Sequence, residues 1–527
     1  MDEVGERPAS VNCFRKMIVL DHAIPEVFKR STLRREAAWD ALRGETVDVA
    51  IIGGGVVGAC TYARLRAMGY RVLLVDKGDF AGATSQASGM MIWGGLPYLR
   101  NGELRTVVKL CAARDTMLRE LSPYVRAQSF RYLAPRPGRR LLVHTALYLY
   151  WLLGGLRNSR PRSELDFPER SFLHGRHAGS LTFDEGVVGP SDAGWVLDML
   201  FAQQTPGSVA LNYCAVRGGA YEPDAQCWRL ELCDAIGHTV RSIRTRWVVN
   251  AAGVWTDALD RRFGIETSYK HVFSKGVFIN VRRLPEHRLP LVFETRAPGD
   301  YVALIPWGLV SMFGPTEMVV PDPDSSFQAD GSDVRQLLAE LNHQLARPCG
   351  TEDIVSLRCG VRTLAVERSW ERTRVSQRLS RRHFLCADRE RPWLSVFGGR
   401  LTNCGTLAEM ILAHVRGALG PRTPTLASAT DFARPPEHES FAEMPVPVVS
   451  ARWAAEHAMC WCLDDYLRRR TNISQWVPRG GFGRHGEHAA ELLRVAEILG
   501  GAVTAAERVA AYRVQVEREF DRVLAEC

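Results

Sequence analysis

Three glycines in the run Gly53-Gly54-Gly55-Val56-Val57-Gly58 fall at the spacing GxGxxG, and an acid, Asp76, stands 23 residues after the first. Those residue types at that spacing suit an adenine dinucleotide. Gly53 permits a tight turn, Gly55 lets backbone approach a pyrophosphate, and Gly58 lets a helix pack closely on the strand before it. Around Val57 the chain would present free N–H groups and the positive end of a helix dipole to the phosphates. The Asp76 carboxylate would accept hydrogen bonds from both hydroxyls of an adenosine ribose, and its charge disfavours a 2′-phosphate there.

The elements that must hold these residues are legible on either side. The apolar run VDVAII at 47–52 reads as a buried parallel strand, ACTYARLRAMG at 59–69 as a helix, and YRVLLVD at 70–76 as a second buried strand ending on the acid. Together they make one βαβ unit. A glycine motif alone is a weak signal, but strand, glycines, helix, strand and terminal acid in that order are a strong one.

The residues after Asp76 separate FAD from a nicotinamide cofactor. Lys77-Gly78-Asp79-Phe80 leads into a hydroxyl-rich stretch in which Thr84, Ser85 and Ser88 offer further donors to a pyrophosphate and ribityl chain. A third buried strand, WVVN at 247–250, ends in the small residues Ala251, Ala252 and Gly253, where backbone can approach the cofactor again. Late in the chain LSVFGG closes another strand, and Gly399, Arg400, Leu401 and Thr402 lead into a helix. Backbone N–H groups at that turn could stabilise negative charge on a reduced flavin ring.

These blocks resemble the FAD-dependent glycerol-3-phosphate dehydrogenase family, within the D-amino-acid-oxidase-like flavoenzymes. The likeness runs from VDVAIIGGGVVGA through VDKGDFAGATSQAS, GGLPYL, VVNAAGVWTD, KGVFINV, ALIPW, GVRTL and LSVFGGRLTN to ARWAAEHAMCWCLDDYLRRRT, nearly the whole chain. It implies a reaction in two halves. A secondary alcohol gives a hydride to flavin N5 while a base takes the hydroxyl proton, and the electrons then pass to quinone, oxygen or another protein. In that family arginines grip the substrate phosphate, which a guanidinium fork matches. The positions that carry over are Arg362 in GVRTL and Arg381 in LSRRHFL, with Tyr98 from GGLPYL orienting the substrate.

The departures from the family pattern bear on the substrate. Its His-Gly-Gly-x-Arg-Tyr-Leu is here Trp93-Gly94-Gly95-Leu96-Pro97-Tyr98-Leu99, so an imidazole has become an indole and a cationic anchor a proline. Its Thr-Thr-Tyr-Arg is here Thr402-Asn403-Cys404-Gly405, and its Gly-Thr-Thr-Asp is Gly314-Pro315-Thr316-Glu317. Each lost charged donor removes about 1.5–3 kcal/mol of binding. Trp93 and Pro97 make the pocket more apolar, which suits a bulkier or less charged small-molecule substrate, such as a non-standard intermediate of specialised biosynthesis. Glycerol 3-phosphate itself, with Lys275 or Lys270 supplying the missing contacts, oxidation of a C–N bond, and a flavin-binding protein with a decayed site are the rival readings.

The bulk numbers agree with a globular enzyme. Of the 527 residues, 46% are hydrophobic and 24% charged, and 67 Lys and Arg against 59 Asp and Glu leave a net charge of +8, too dilute to imply a nucleic-acid partner. The triplet Arg468-Arg469-Arg470 reads as a solvated helix face. Thirteen scattered cysteines point to a reducing compartment, and Cys460 and Cys462 read as packing residues inside a helical pattern. His174 and His177 lack further ligands, so no metal is expected. No signal peptide opens the chain, which implies a cytoplasmic protein. Residues 141–155, LLVHTALYLYWLLGG between arginines, are shorter than the roughly 20 apolar residues of a membrane span. They read first as a buried helix and second as a peripheral membrane contact.

The expected fold is α/β, a Rossmann-type FAD-binding domain interleaved with an antiparallel-sheet substrate domain, followed by an all-helical cap. Residues 1–45 form a helical lead-in, amphipathic around 33–42; residues 46–435 hold the oxidoreductase domain, with the substrate subdomain at about 265–375; residues 436–527 form the cap. Oligomeric state has no signature in the sequence.

Overall fold

A computed structural model describes residues 26–120, 124–175, 177–201, 207–296, 300–370, 382–425 and 437–527. Its centre is a parallel sheet. The strand Thr46–Ile52 lies between Val72–Val75 on one side and Thr239–Asn250 on the other; Val209–Leu211 extends the first edge and Trp393–Phe397 the second, all parallel. Every residue of Thr46–Ile52 except the first is buried, as a strand covered on both faces must be. On one face the helices Val56–Ala67, Asp192–Phe201 and Cys404–Leu419 share a core with Val49, Ile51, Val72 and Leu74; on the other, Ala50, Leu73 and Val248 pack against Trp39, Trp228 and Trp393.

A second sheet of ten strands among the described residues stands beside it, mainly antiparallel. Its spine is the pairing of Tyr269–Arg282 with Ile354–Glu367, which runs from Tyr269 opposite Glu367 past Ser274 opposite Arg362. The blocks KGVFINV and ALIPW lie in its strands Tyr269–Arg282 and Tyr301–Trp307. The helix Gly331–Gln344, begun by an Asp330 capping box, covers one face with Val334, Leu337 and Leu341. The sheet also takes strands from earlier in the chain, among them Met91–Ile92, Val125–Leu133 and Ser180–Val188.

The C-terminal helices Ala451–His457, Ala489–Gly500 and Ala502–Val516 build a core of their own around Leu463, Tyr466, Leu467 and Phe482. The N-terminal helix Glu26–Asp40 buries Ser31, Arg35 and Trp39 rather than Leu33, which is exposed. Ser31 donates to the Ala455 carbonyl at 2.9 Å, and Arg35, 1% exposed, is held by Asp234 and the Asn212 carbonyl. That helix therefore docks through buried polar groups as well as through Trp39 and Phe28, and hydrophobic periodicity does not report the polar ones.

Three expectations are corrected. The helix Pro137–Leu153 buries only Leu147 and Tyr150 and leaves Leu141, Leu142, Leu149 and Leu152 exposed, so it is not a core helix. Cys460 and Cys462 stand between helices, not inside one. Arg469 and Arg470 do not face solvent: both are paired with Asp79 in the interior, because the nucleotide domain offers a buried carboxylate at that point. The expected domain boundary at 435–436 lies outside the described residues.

Candidate active site

The glycine turn forms because three of its positions exclude a side chain, Gly54 against Phe80 and two others against backbone. Gly53 has φ +112°, and a Cβ there would overlap the Ala251 carbonyl; a Cβ on Gly58 would overlap the carbonyl oxygen of Gly53. Gly55 differs, since a Cβ there would meet only the Ser85 Oγ, at 3.1 Å, and nothing else within 4 Å. Val56 begins the helix Val56–Ala67, its N–H donating to Ser85 Oγ at 2.9 Å, with Val57 next in line.

Asp76 closes the second strand against this turn. Its Oδ2 accepts from Gly54 N at 2.7 Å and its Oδ1 from Gly78 N at 2.8 Å. Burial pushes its carboxyl up to about 6, although the two N–H groups favour the ionised form. Each oxygen keeps a lone pair for a further donor. Lys77 places its ammonium 3.6 Å from the centre of the Trp255 ring, beside Ala252 and the positive-φ Gly253.

The hydroxyl-rich stretch ties this turn to the second sheet. Thr84 donates to the Val361 carbonyl at 2.5 Å, one residue before Arg362. Ser88 donates from both Oγ and N to Asp192 Oδ2, which also takes Arg358 Nη2 at 2.7 Å. The Arg362 guanidinium lies over Gly276, where a Cβ would collide with it. Arg381 lies outside the described residues.

The late turn meets the first one. Gly399, at φ +125°, leaves room for a side chain only by crowding Val57 Cγ2 at 2.9 Å. Leu401 and Thr402 lie in the short helix Leu401–Asn403, and Arg400 N donates to Asn403 Oδ1 at 2.7 Å. Arg400 Nη2 donates to Tyr98 OH at 2.8 Å. Beneath the turn, Gly398 N donates to His271 Nε2 at 3.0 Å while His271 Nδ1 and Asp257 Oδ2 lie 2.6 Å apart. With Nε2 accepting, the proton sits on Nδ1 and goes to Asp257.

Trp93 does not stand free in a cavity; it packs 5.4 Å from the Phe130 ring, in the apolar layer that includes Phe183 and Leu147. The adjacent Gly94 donates its N–H to Glu185 Oε2 at 3.1 Å, and Glu185 in turn accepts from Arg114 at 2.9 Å and Tyr150 at 2.5 Å. Burial raises the Glu185 carboxyl against these donors. Lys275 is committed elsewhere, between Asp330 at 2.8 Å and Asp333 at 2.6 Å.

Residues from four distant blocks, 53–58, 76–88, 98 and 398–402, thus converge. The cradle fits FAD: an open backbone at Gly55, a helix N-terminus, an acid with free lone pairs, and a second glycine turn against Val57. Sequence reasoning missed Asp192, Glu185, His271 and Asp257. Of these only Asp257 lies inside a recognised block, VVNAAGVWTD.

Comparison with known proteins agrees with this geometry. The aerobic glycerol-3-phosphate dehydrogenase of Escherichia coli (strain K12) is 30% identical over 377 residues, 70% of this chain and 73% of that protein. The glycerol-3-phosphate dehydrogenase of Mycobacterium leprae is 28% identical, and the match spans 65% of this chain but 59% of the relative's length. The solved glycerol-3-phosphate dehydrogenase from Bacillus halodurans, complexed with FAD, shares the fold with a TM-score of 0.69 at 17% identity, covering 94% of this chain and 98% of that one. Residues 48–403 match the family described as FAD dependent oxidoreductase, and the chain belongs to that family.

Proposed function

We propose that the chain oxidises a small secondary alcohol to a carbonyl compound, the hydride passing to FAD and the hydroxyl proton to a base or water. The electrons then leave to quinone, oxygen or another protein. The observation that carries the reading is the contact of Tyr98 with Arg400 beside the Gly398-Gly399 turn, which sets a phenol and a cation next to the cofactor cradle. Bound FAD supplies the hydride acceptor.

Each residue then has a job. Gly55 and the N–H of Val57 face the pyrophosphate, with Thr84, Ser85 and Ser88 lining the adjoining loop and Ser85 capping Val56; Asp76 takes the ribose hydroxyls. Arg362 and Arg400 hold the polar end of the substrate, and Tyr98 orients its hydroxyl. Trp93, packed into an apolar layer against Phe130, and the engagement of Lys275 by two carboxylates favour a substrate other than glycerol 3-phosphate. Anaerobic mixing with a panel of alcohols, glycerol 3-phosphate and amines, monitored by flavin absorbance, tests this. Rapid bleaching by glycerol 3-phosphate at low concentration would sink the changed-substrate reading, and bleaching only by amines would sink alcohol oxidation.

A peripheral membrane contact is part of the same reading. Among the described residues no helix is long and apolar enough to cross a membrane. The helix Pro137–Leu153 exposes Leu141 (68%), Leu142, Leu149 and Leu152 (57%), with Arg157 also exposed nearby. Flotation with anionic vesicles should carry the protein, and Leu141→Asp with Leu152→Asp should abolish it; wild-type protein left at the bottom of the gradient refutes the contact.

A further inference from the structure

We propose that Arg469 and Arg470, from the C-terminal helical region, are positioning residues for FAD: they clamp the loop after Asp76, so that docking of this region sets how tightly the cofactor is held. The inference rests on the FAD reading of the cradle. Asp79, three residues after the ribose acid, is buried and takes Arg469 Nε and Arg470 Nη1 on one oxygen. Its other oxygen accepts from Arg470 Nη2 at 2.9 Å and Asn212 Nδ2 at 2.8 Å. Burial alone would raise this carboxyl, but the two guanidinium groups outweigh it and hold Asp79 below the usual carboxylate range.

Arg469 reaches the far end of the same loop as well. Its Nη1 donates to Gln86 Oε1 at 3.1 Å, and Gln86 Nε2 donates to the Gly82 carbonyl at 2.7 Å. Between these anchors the loop lies on the glycine turn: Ala81 N donates to the Gly54 carbonyl at 3.0 Å, a Cβ on Gly54 would strike Phe80, and Ser85 caps Val56. One arginine therefore spans residues 79–86, the segment between the ribose acid and the pyrophosphate donors. The guanidinium groups are fixed from behind, Arg469 by Asp464 at 2.6 Å and Asp465 at 2.8 Å, and Arg470 by the carbonyls of Ala458 and Met459. A loop held by fixed charges needs no ordering when the cofactor arrives.

Gln86→Ala removes one end of the strap while leaving Arg469 its three carboxylates, and Arg469→Lys keeps the charge but loses the fork. In the full chain, quenching of flavin fluorescence should show FAD affinity falling about threefold to tenfold for Gln86→Ala and more for Arg469→Lys. Arg494→Ala, which breaks only the Arg494–Glu439 pair inside the C-terminal region, should leave it within twofold. Coupling is reciprocal, so adding FAD to the wild type should slow amide exchange at 461–472 as well as at 53–88. Folded Gln86→Ala that binds FAD as the wild type does, or protection confined to the nucleotide domain, overturns the proposal. A wild type that takes no FAD overturns instead the cofactor reading beneath it.

Discussion

Arg400 Nη2 donates to Tyr98 OH at 2.8 Å across 302 residues of sequence, joining the turn after one parallel strand to the loop beyond Gly94-Gly95. If this contact orients substrate, Tyr98→Phe should leave FAD content unchanged and lower kcat/KM about 10-fold to 100-fold, the worth of one hydrogen bond to a charged group. Steady-state rates on the substrate found by the bleaching panel, together with the flavin-to-protein absorbance ratio, check both halves.

The two glycines of the first turn should respond differently. Gly58→Ala drives a methyl into the Gly53 carbonyl and should give colourless, poorly folded protein. Gly55→Ala meets only Ser85 Oγ at 3.1 Å, so the fold should survive with a melting temperature near that of the wild type while FAD affinity drops at least tenfold. Equal effects of the two changes on melting temperature would count against an open pyrophosphate face at Gly55.

Asp76 makes cofactor binding depend on pH. Its folded carboxyl, raised to about 6 by burial, lies above the ordinary value of 3.8, so between these two values the folded apoprotein holds a proton that the unfolded chain lacks. Apoprotein stability from this group is therefore full below 3.8 and falls as pH rises toward 6. Ribose hydroxyls need the ionised form as acceptor, so FAD affinity should weaken as pH drops through about 6. Titrating affinity from about pH 5 to about pH 8 should show that slope, and Asp76→Asn should bind FAD weakly with the slope gone.

Glu185 and Arg114 test what supports the Trp93-to-Tyr98 segment. Both are buried, but Arg114 also pairs with the buried Asp115 at 2.9 Å, so it is removal of the arginine that leaves buried carboxylates uncompensated, at a cost of about 3–5 kcal/mol. Arg114→Met should lower the melting temperature by several degrees and weaken the glutamate's hold on Gly94. Replacing both, as Arg114→Met with Glu185→Leu, should recover the part of the stability lost to the unpaired glutamate, while Asp115 keeps only Arg157. A double variant as unstable as the sum of the singles would show that the pair is not coupled.

Holding Gly398 through His271 should show in the flavin spectrum. His271→Ala removes the acceptor of the Gly398 N–H and the link to Asp257. The visible absorption maximum and the reduction potential should shift, and His271→Gln, which can still accept, should restore part of the shift. Spectra identical to the wild type in the Ala variant would remove His271 from the site.

The sequence by itself determined the nucleotide unit. A buried strand is a continuous apolar run, a glycine turn needs glycine whatever surrounds it, and the acid at Asp76 is placed by the strand it ends; all three are local, so VDVAII, Gly53 to Gly58 and YRVLLVD could be read directly. Only the tertiary structure decided the fates of the charged and aromatic residues. Arg469 reads as solvent-facing until Asp79 is brought to it, Lys275 as available until Asp330 and Asp333 enclose it, and Leu141 as buried until the second sheet leaves its helix on the outside. The physical reason is that a charge is tolerated inside only where a partner meets it, and that partner comes from a distant segment of the chain which no local pattern can name.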